Sequence, residues 1–107
     1  MTVFVLPSRL SVVTSGAVEL KELRSLVALS ELGNISLVGE RLHLSAPAIH
    51  KQLKLLEAEL GLKLYERLGK QLRVTQAAAV LLPYFQDILI QYDSALTALE
   101  EWKGLKH

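Results

Sequence analysis

Ala46, Pro47, His50, Lys51 and Lys54 recur at i, i+1, i+4, i+5 and i+8, so on a helix they share one stripe. A methyl, an imidazole and two ammonium groups supply apolar contact, hydrogen bonding and positive charge. They do not supply bond breaking. Such a stripe can meet base edges and phosphates in a groove, or it can be an ordinary solvated face. The residues alone leave both readings open. Arg67, Lys70 and Arg73 form a second basic group further along. No nucleophile sits beside a base, no glycine loop could cradle a phosphate, and no metal constellation is present, so neither an enzyme nor a cofactor or metal site is expected. His43, His50 and His107 are not paired at metal-binding spacing on one helix face.

The stripe must be carried by a helix that something else holds in place. Leu20, Leu23, Leu26, Val27 and Leu29 mark a first helix over 20–32, ended by Gly33 and Asn34. A second helix is expected from about 37 to 43, with Ser36 able to cap it. A third is expected over 46–60, capped by Ser45, carrying Pro47 in its first turn and stopped by Gly61. Ile49, Leu53, Leu56 and Leu60 form its inward side, opposite the stripe. Only His43 and Leu44 separate Leu42 from Ser45, so the second and third helices must cross steeply, as in a helix-turn-helix. Residues 62–67 and 71–75 then alternate apolar and polar around Leu68, Gly69 and Lys70, which predicts a β-hairpin.

From Gln76 to about Trp102 the pattern is one long helix. Leu81, Phe85, Ile88, Tyr92, Ala95, Leu99 and Trp102 follow alternating 4-3 spacing, a heptad seam. Leu82, Leu89 and Leu96 add a second stripe. Two stripes exceed what three short helices and a hairpin can cover, so the helix is expected to pair with a second copy. A core helix of a larger fold is the other way to cover them.

The chain has 107 residues and a net charge of +1, which looks too weak for a nucleic-acid partner. The distribution matters more than the total. Residues 1–39 are balanced, residues 40–75 carry +3 and residues 76–107 carry −2. Cysteine is absent, which excludes disulfides and thiolate metal ligands and fits a reducing cytoplasm. Residues 1–19 are apolar and β-branched, broken by Pro7 and Gly16. They make a poor secretory signal, fall far short of the roughly 20 apolar residues of a membrane span, and are expected to be a weakly ordered leader.

The order of elements and the residues themselves resemble the N-terminal DNA-binding domain of LysR-type transcriptional regulators, over about residues 20–102. The carrying stretches are Leu20 to Leu29, Glu40 to Ser45, Pro47 to Leu53, Leu56-Glu57 with Glu59-Leu60-Gly61, Leu64-Tyr65-Glu66-Arg67 and Val74-Thr75. The combination of Ser-x-Pro-Ala, Leu-Glu-x-Glu-Leu-Gly and Leu-Tyr-Glu-Arg at these separations makes the match specific. The resemblance implies a mainly α fold: a winged helix-turn-helix over 20–75 (three helices plus a β-hairpin wing) and a linker/dimerisation helix over 76–103. The linker helix would pair antiparallel with its twin. It also implies sequence-specific binding of double-stranded DNA, with the third helix in the major groove and the wing on the backbone or minor groove. Lys21, Ser36, Ser45, Ala46, Pro47, His50, Lys51, Lys54, Arg67, Lys70 and Arg73 become the expected DNA contacts.

This chain departs from the family at four positions. Ala46 stands where a base-reading glutamine is common, His50 where serine is usual, Lys51 where arginine is usual and Ala78 where glycine is usual. Base preference therefore does not transfer. The family's effector-sensing domain is absent from these residues, so a small-molecule inducer would act only through a domain not present here. The expected partners are DNA and the chain itself, as a homodimer or a tetramer, in the cytoplasm and without a membrane. Two alternatives stand beside this reading. One is a winged-helix interaction module that no longer binds DNA specifically. The other is the DNA-binding half of a molybdate-responsive type of regulator.

Overall fold

The computed structural model describes residues 18–105. The leader expected over residues 1–19 falls almost wholly outside them, as does His107. Within them the order is α1 (Leu20–Leu32), α2 (Ile35–Leu42), α3 (Ala46–Leu60), β1 (Tyr65–Leu68), β2 (Gln71–Val74) and α4 (Gln76–Leu105). The chain folds as the winged helix-turn-helix and long helix that the sequence predicts.

The helix ends follow from local chemistry. Glu19 and Glu22 form a reciprocal capping box at the start of α1, and Gly33 closes it in the left-handed conformation at φ 66°. The cap of α2 corrects the expectation placed on Ser36. Asn34 holds that role, its side-chain oxygen accepting from the Leu37 N–H at 3.0 Å. The helix therefore begins at Ile35, two residues early, and ends at Leu42. Asn34 thus both follows the stop of one helix and starts the next. Ser45 caps α3 as expected, accepting from the Ala48 N–H at 3.2 Å.

The turn between α2 and α3 rests on two backbone features. His43 takes the left-handed conformation at φ 58°, and the Leu44 N–H reaches back to the Gly39 carbonyl at 2.9 Å. A Cβ at position 39 would lie 2.5 Å from the Leu44 carbonyl oxygen. Only glycine allows that approach.

The hairpin is shorter than the alternation suggests. Residues 62–64 stay outside the sheet, and β1 pairs antiparallel with β2 in the register Tyr65 to Val74 and Leu68 to Gln71. Gly69 and Lys70 make a two-residue turn, with Gly69 at φ 63°.

One core holds these elements together. Leu26, Val38, Ile49, Leu53, Leu56 and Leu64 are fully buried, joined by Leu23, Leu29 and Tyr65. The first half of α4 belongs to the same core through Ala78, Phe85 and Leu89, with Leu81 and Leu82 packed against it. Two polar side chains, Ser25 of α1 and Gln52 of α3, are buried where these helices meet. The Ser25 hydroxyl donates to Gln52 Oε1 there, so the crossing carries a satisfied hydrogen bond and tolerates little sliding.

Gly39→Ala is expected to destabilise the fold by roughly 1–3 kcal/mol, because backbone must move to admit the methyl. Gly104→Ala, where a Cβ meets nothing within 4 Å, should cost nothing, since alanine favours helix. Denaturant unfolding of both variants checks the pair, and equal midpoints would contradict the steric argument.

Candidate nucleic-acid interface

The stripe on α3 is exposed as expected: Ser45, Ala46, Pro47, His50, Lys51 and Lys54 all lie at the surface while Ile49, Leu53 and Leu56 face inward. Beside it the structure opens a cleft of about 320 Å³, lined by Ser36 of α2, Ala46 and His50 of α3, and Arg67 and Lys70 of the wing. Residues separated by up to 34 positions in sequence thus meet on one concave surface. Its donors include two cations, an imidazole and a hydroxyl. The capping of α2 by Asn34 leaves the Ser36 hydroxyl free of the cap role.

The wing is fixed to α3 by a small polar cluster. Glu57 accepts from the Leu64 backbone N–H through Oε2 at 2.9 Å and meets the Lys54 ammonium through Oε1 at 3.3 Å. Lys54 Nζ also lies over the Tyr65 ring, 5.1 Å from its centroid. The Glu57 carboxylate raises the Lys54 pKa above its ordinary value, and Tyr65 adds to the effect. Tyr65 in turn places its hydroxyl 3.3 Å from His50 Nδ1. Two further contacts hold the other strand. The Leu72 N–H donates to the Gly33 carbonyl at 3.0 Å, and Thr75 donates to the Lys63 carbonyl while its Oγ1 caps α4 at the Ala78 N–H.

Not every expected residue joins this surface. Arg73 pairs with Glu66 in the register and so projects from the sheet face opposite Arg67. It lines a separate hollow with Glu31, Gly33 and Gln71. Lys21 sits at the start of α1 in an ion pair with Glu19 at 3.2 Å, outside the cleft. Lys54 is exposed but engaged with Glu57, so its ammonium is shared with the protein. Sequence reasoning missed Glu57 and Tyr65. Their only signal was the Leu-Glu and Leu-Tyr-Glu-Arg motifs, which mark the fold without revealing the contact.

The long helix divides its apolar stripes. Phe85 and Leu89, expected at an interface between copies, are 9% and 7% exposed in the chain's own core, and Leu81 is half-buried there. α1 and the hydrophobic face of α4 come close enough to cover them. Ile88, Tyr92, Leu96, Leu99 and Trp102 remain 43–56% exposed, with Ala95 exposed among them. Arg24 of α1 marks the division, pairing with Asp93 at 2.9 Å and lying 5.9 Å over the Tyr92 ring. Among the described residues no acidic, histidine or cysteine group could hold a metal, and no helix is long and apolar enough to cross a membrane.

Comparison with known proteins places this geometry. Residues 20–79 match the model of bacterial regulatory helix-turn-helix proteins of the lysR family. An HTH-type transcriptional regulator from the ibpB–leuC intergenic region of Azotobacter vinelandii is 38% identical over 86 residues, covering 80% of this chain and 60% of that protein. Among solved structures, oxidised OxyR of Corynebacterium glutamicum superposes with a TM-score of 0.80 at 28% identity, covering 85% of this chain and 28% of its own. The BenM DNA-binding domain in complex with catB site 1 DNA gives a TM-score of 0.74 at 26% identity, covering 83% of this chain and 96% of its own. The chain thus spans three-fifths or less of the full-length proteins it resembles here.

The cluster makes unequal demands on its members. Glu57→Ala strands the partly buried Leu64 N–H and should cost about 1–2 kcal/mol, whereas Lys54→Ala removes an exposed partner and should leave the unfolding midpoint nearly unchanged. Thermal or denaturant melts of the two variants measure this. A larger loss from Lys54→Ala would reverse the assignment.

Proposed function

The chain belongs to the lysR family of bacterial regulatory helix-turn-helix proteins, and from that premise we propose that it binds double-stranded DNA sequence-specifically, as a homodimer, to regulate transcription. The observation that carries this reading is the cleft in which Ser36, Ala46 and His50 meet Arg67 and Lys70. A recognition helix laid in a major groove presents its N-terminal residues to base edges, while a wing reaches the adjacent backbone.

The roles divide by chemistry. Ala46 has no donor or acceptor and contributes an apolar contact, as to a thymine methyl. Pro47 shapes the first turn of α3, and Ser45 is its cap. His50 has a ring nitrogen available to a base edge. Lys51, Arg67 and Lys70 neutralise phosphates, and Ser36 donates to one near the start of α2. Lys54 belongs to the cluster that holds the wing, and Lys21 and Arg73 lie off the groove-facing surface. The exposed run from Ile88 to Trp102 is the surface on which a second copy pairs, since soluble monomers rarely leave such a patch uncovered. DNA binding by the related BenM domain supports the assignment.

With three phosphate contacts per protomer, a dimer neutralises about six. The logarithm of affinity should fall against the logarithm of salt with a slope of about −5, from roughly 0.9 per phosphate. Arg67→Ala should flatten that slope by about 2 and weaken cognate and random DNA alike. Fluorescence anisotropy over a salt series gives both numbers. A flat response would favour a protein-interaction module instead.

Pairing has its own test. Leu99→Asp places a charge on the exposed run and should yield a folded monomer by sedimentation. Leu89→Asp buries a charge in the protomer's own core and should cost about 3 kcal/mol or more of stability. A wild-type chain that sediments as a monomer at micromolar concentration overturns the dimer.

A further inference from the structure

His50 is exposed on the cleft, yet one of its ring nitrogens is already occupied. Nδ1 lies 3.3 Å from the Tyr65 hydroxyl, with the ring centroids 6.3 Å apart and tilted by 50°. Tyr65 itself is 6% exposed, so its hydroxyl has little freedom to leave. In a neutral imidazole one nitrogen carries hydrogen and the other a lone pair, and the hydrogen bond made by one decides what the other offers.

The neighbours of Tyr65 set the direction of that bond. Lys54 stands four residues after His50 on the same face, and its ammonium is a donor only, held over the Tyr65 ring and anchored by Glu57. The positive charge over the ring draws electron density from the Tyr65 oxygen, which makes the hydroxyl a stronger donor and a weaker acceptor and sends its hydrogen toward Nδ1. An Nδ1–H would instead have to donate to that weakened oxygen beside a cation. Glu57 thus holds the Lys54 ammonium over the Tyr65 ring, and the Tyr65 hydroxyl donates to His50 Nδ1. Nε2 then carries the hydrogen. Among the described residues Nε2 has no protein partner, and it lies on the far side of the ring from Tyr65. The backbone supports the same placement, because Glu57 also holds the Leu64 N–H, one residue before Tyr65.

Building on the DNA-binding reading, we propose that Tyr65 is a positioning residue that keeps His50 as an Nε2–H donor to the groove, so that His50 selects a base edge rich in acceptors, guanine first. The guanine edge offers N7 and O6 side by side, adenine and thymine one acceptor each, and cytosine a donor that would face the Nε2 hydrogen. Arginine reads guanine through two donors at once. His50 reads it with one, and the fixed tautomer supplies the discrimination that a second contact otherwise would. The departure from serine at this position thus comes with a specific preference.

Two measurements on the 107-residue chain test this. The first is nitrogen-15 NMR of the histidines in the free protein at pH 8, above the ordinary imidazole range. His50 should show a single tautomer protonated at Nε2, and Tyr65→Phe, which removes only the hydroxyl, should give a mixture. The second is selection from a random duplex library at fixed salt. The parent should enrich guanine at one position per half-site about tenfold over cytosine, and 7-deazaguanine placed there should lower affinity about tenfold. In Tyr65→Phe the guanine-to-cytosine ratio should fall below about threefold, as it should in His50→Ala. An Nδ1–H tautomer in the parent overturns the proposal. So does a ratio that Tyr65→Phe leaves unchanged, and in that case the selected site still stands as evidence for DNA binding. If no sequence is selected although the tautomer is as stated, the DNA reading fails and base selection by His50 fails with it.

Discussion

The turn between α2 and α3 depends on a backbone approach that no side chain can share. The Gly39 carbonyl accepts from the Leu44 N–H, and the Leu44 carbonyl lies where a Cβ of residue 39 would be. With His43 in the left-handed conformation, the chain reverses in three residues and delivers Ser45 to the start of α3. That fixes the angle between the helices, and the angle in turn decides that Ser36 and Ala46 share a cleft rather than lying on separate faces. The buried Ser25–Gln52 hydrogen bond locks the third helix against the first. Hydrophobic burial of Val38, Ile49 and Leu53 supplies most of the stabilisation, but it is non-directional. The glycine and the polar pair supply the geometry.

The wing is held by polar contacts because its two four-residue strands have little apolar surface to contribute. A two-stranded ribbon alone is marginal in water. Here its inner face buries Tyr65 and half-buries Leu72 and Val74. The Leu72 N–H donates to the Gly33 carbonyl at the end of α1, and the Leu64 N–H, just before β1, donates to the Glu57 carboxylate of α3, so the two sides of the ribbon are tied to different helices. Arg67, on that same inner face nearer the turn, and Lys70 in the turn are left exposed and cationic. An arrangement that fixes the ribbon at its base and leaves its tip charged suits a surface that must meet a polyanion without rearranging.

Much of this was legible in the residues. The apolar period of α1 and α3, the Ser45 cap, Pro47 and the stops at Gly33 and Gly61 act within a turn or two of chain, and local chemistry decides them. The misreadings arose where two local signals competed or where a distant element decided. Asn34 and Ser36 are both good caps, and only the path out of Gly33 selects Asn34. The alternation at 62–64 reads as strand, but Gly61 and the tether of Leu64 to Glu57 hold that stretch as a connector. Phe85 fits the heptad seam as well as Leu99 does, and Leu89 fits the second stripe as well as Leu96 does. Whether a seam residue faces its own core or another molecule depends on how far α1 extends beside it, which periodicity does not encode. Gly39 gave almost no signal, since a glycine in a short helix usually marks weakness rather than contact.

The division of α4 has a mechanical consequence. Its first half is part of the domain core through Ala78, Phe85 and Leu89, and its second half stands clear with an apolar face. The helix is continuous from Gln76 to Leu105, despite Pro83 inside it, where the missing N–H leaves the Ala79 carbonyl without a helical donor. Arg24 grips the helix where the two halves meet, through Asp93 and the Tyr92 ring. A rigid helix anchored at one end transmits orientation to the other. The direction in which the exposed half projects is therefore set by the same core that orients α3. In a paired assembly the separation of two recognition helices would follow from the packing of Phe85 and Leu89 as much as from the pairing face itself. In such an assembly stability, groove geometry and half-site spacing would be coupled through a single helix, and a change in its inner half would be felt in all three.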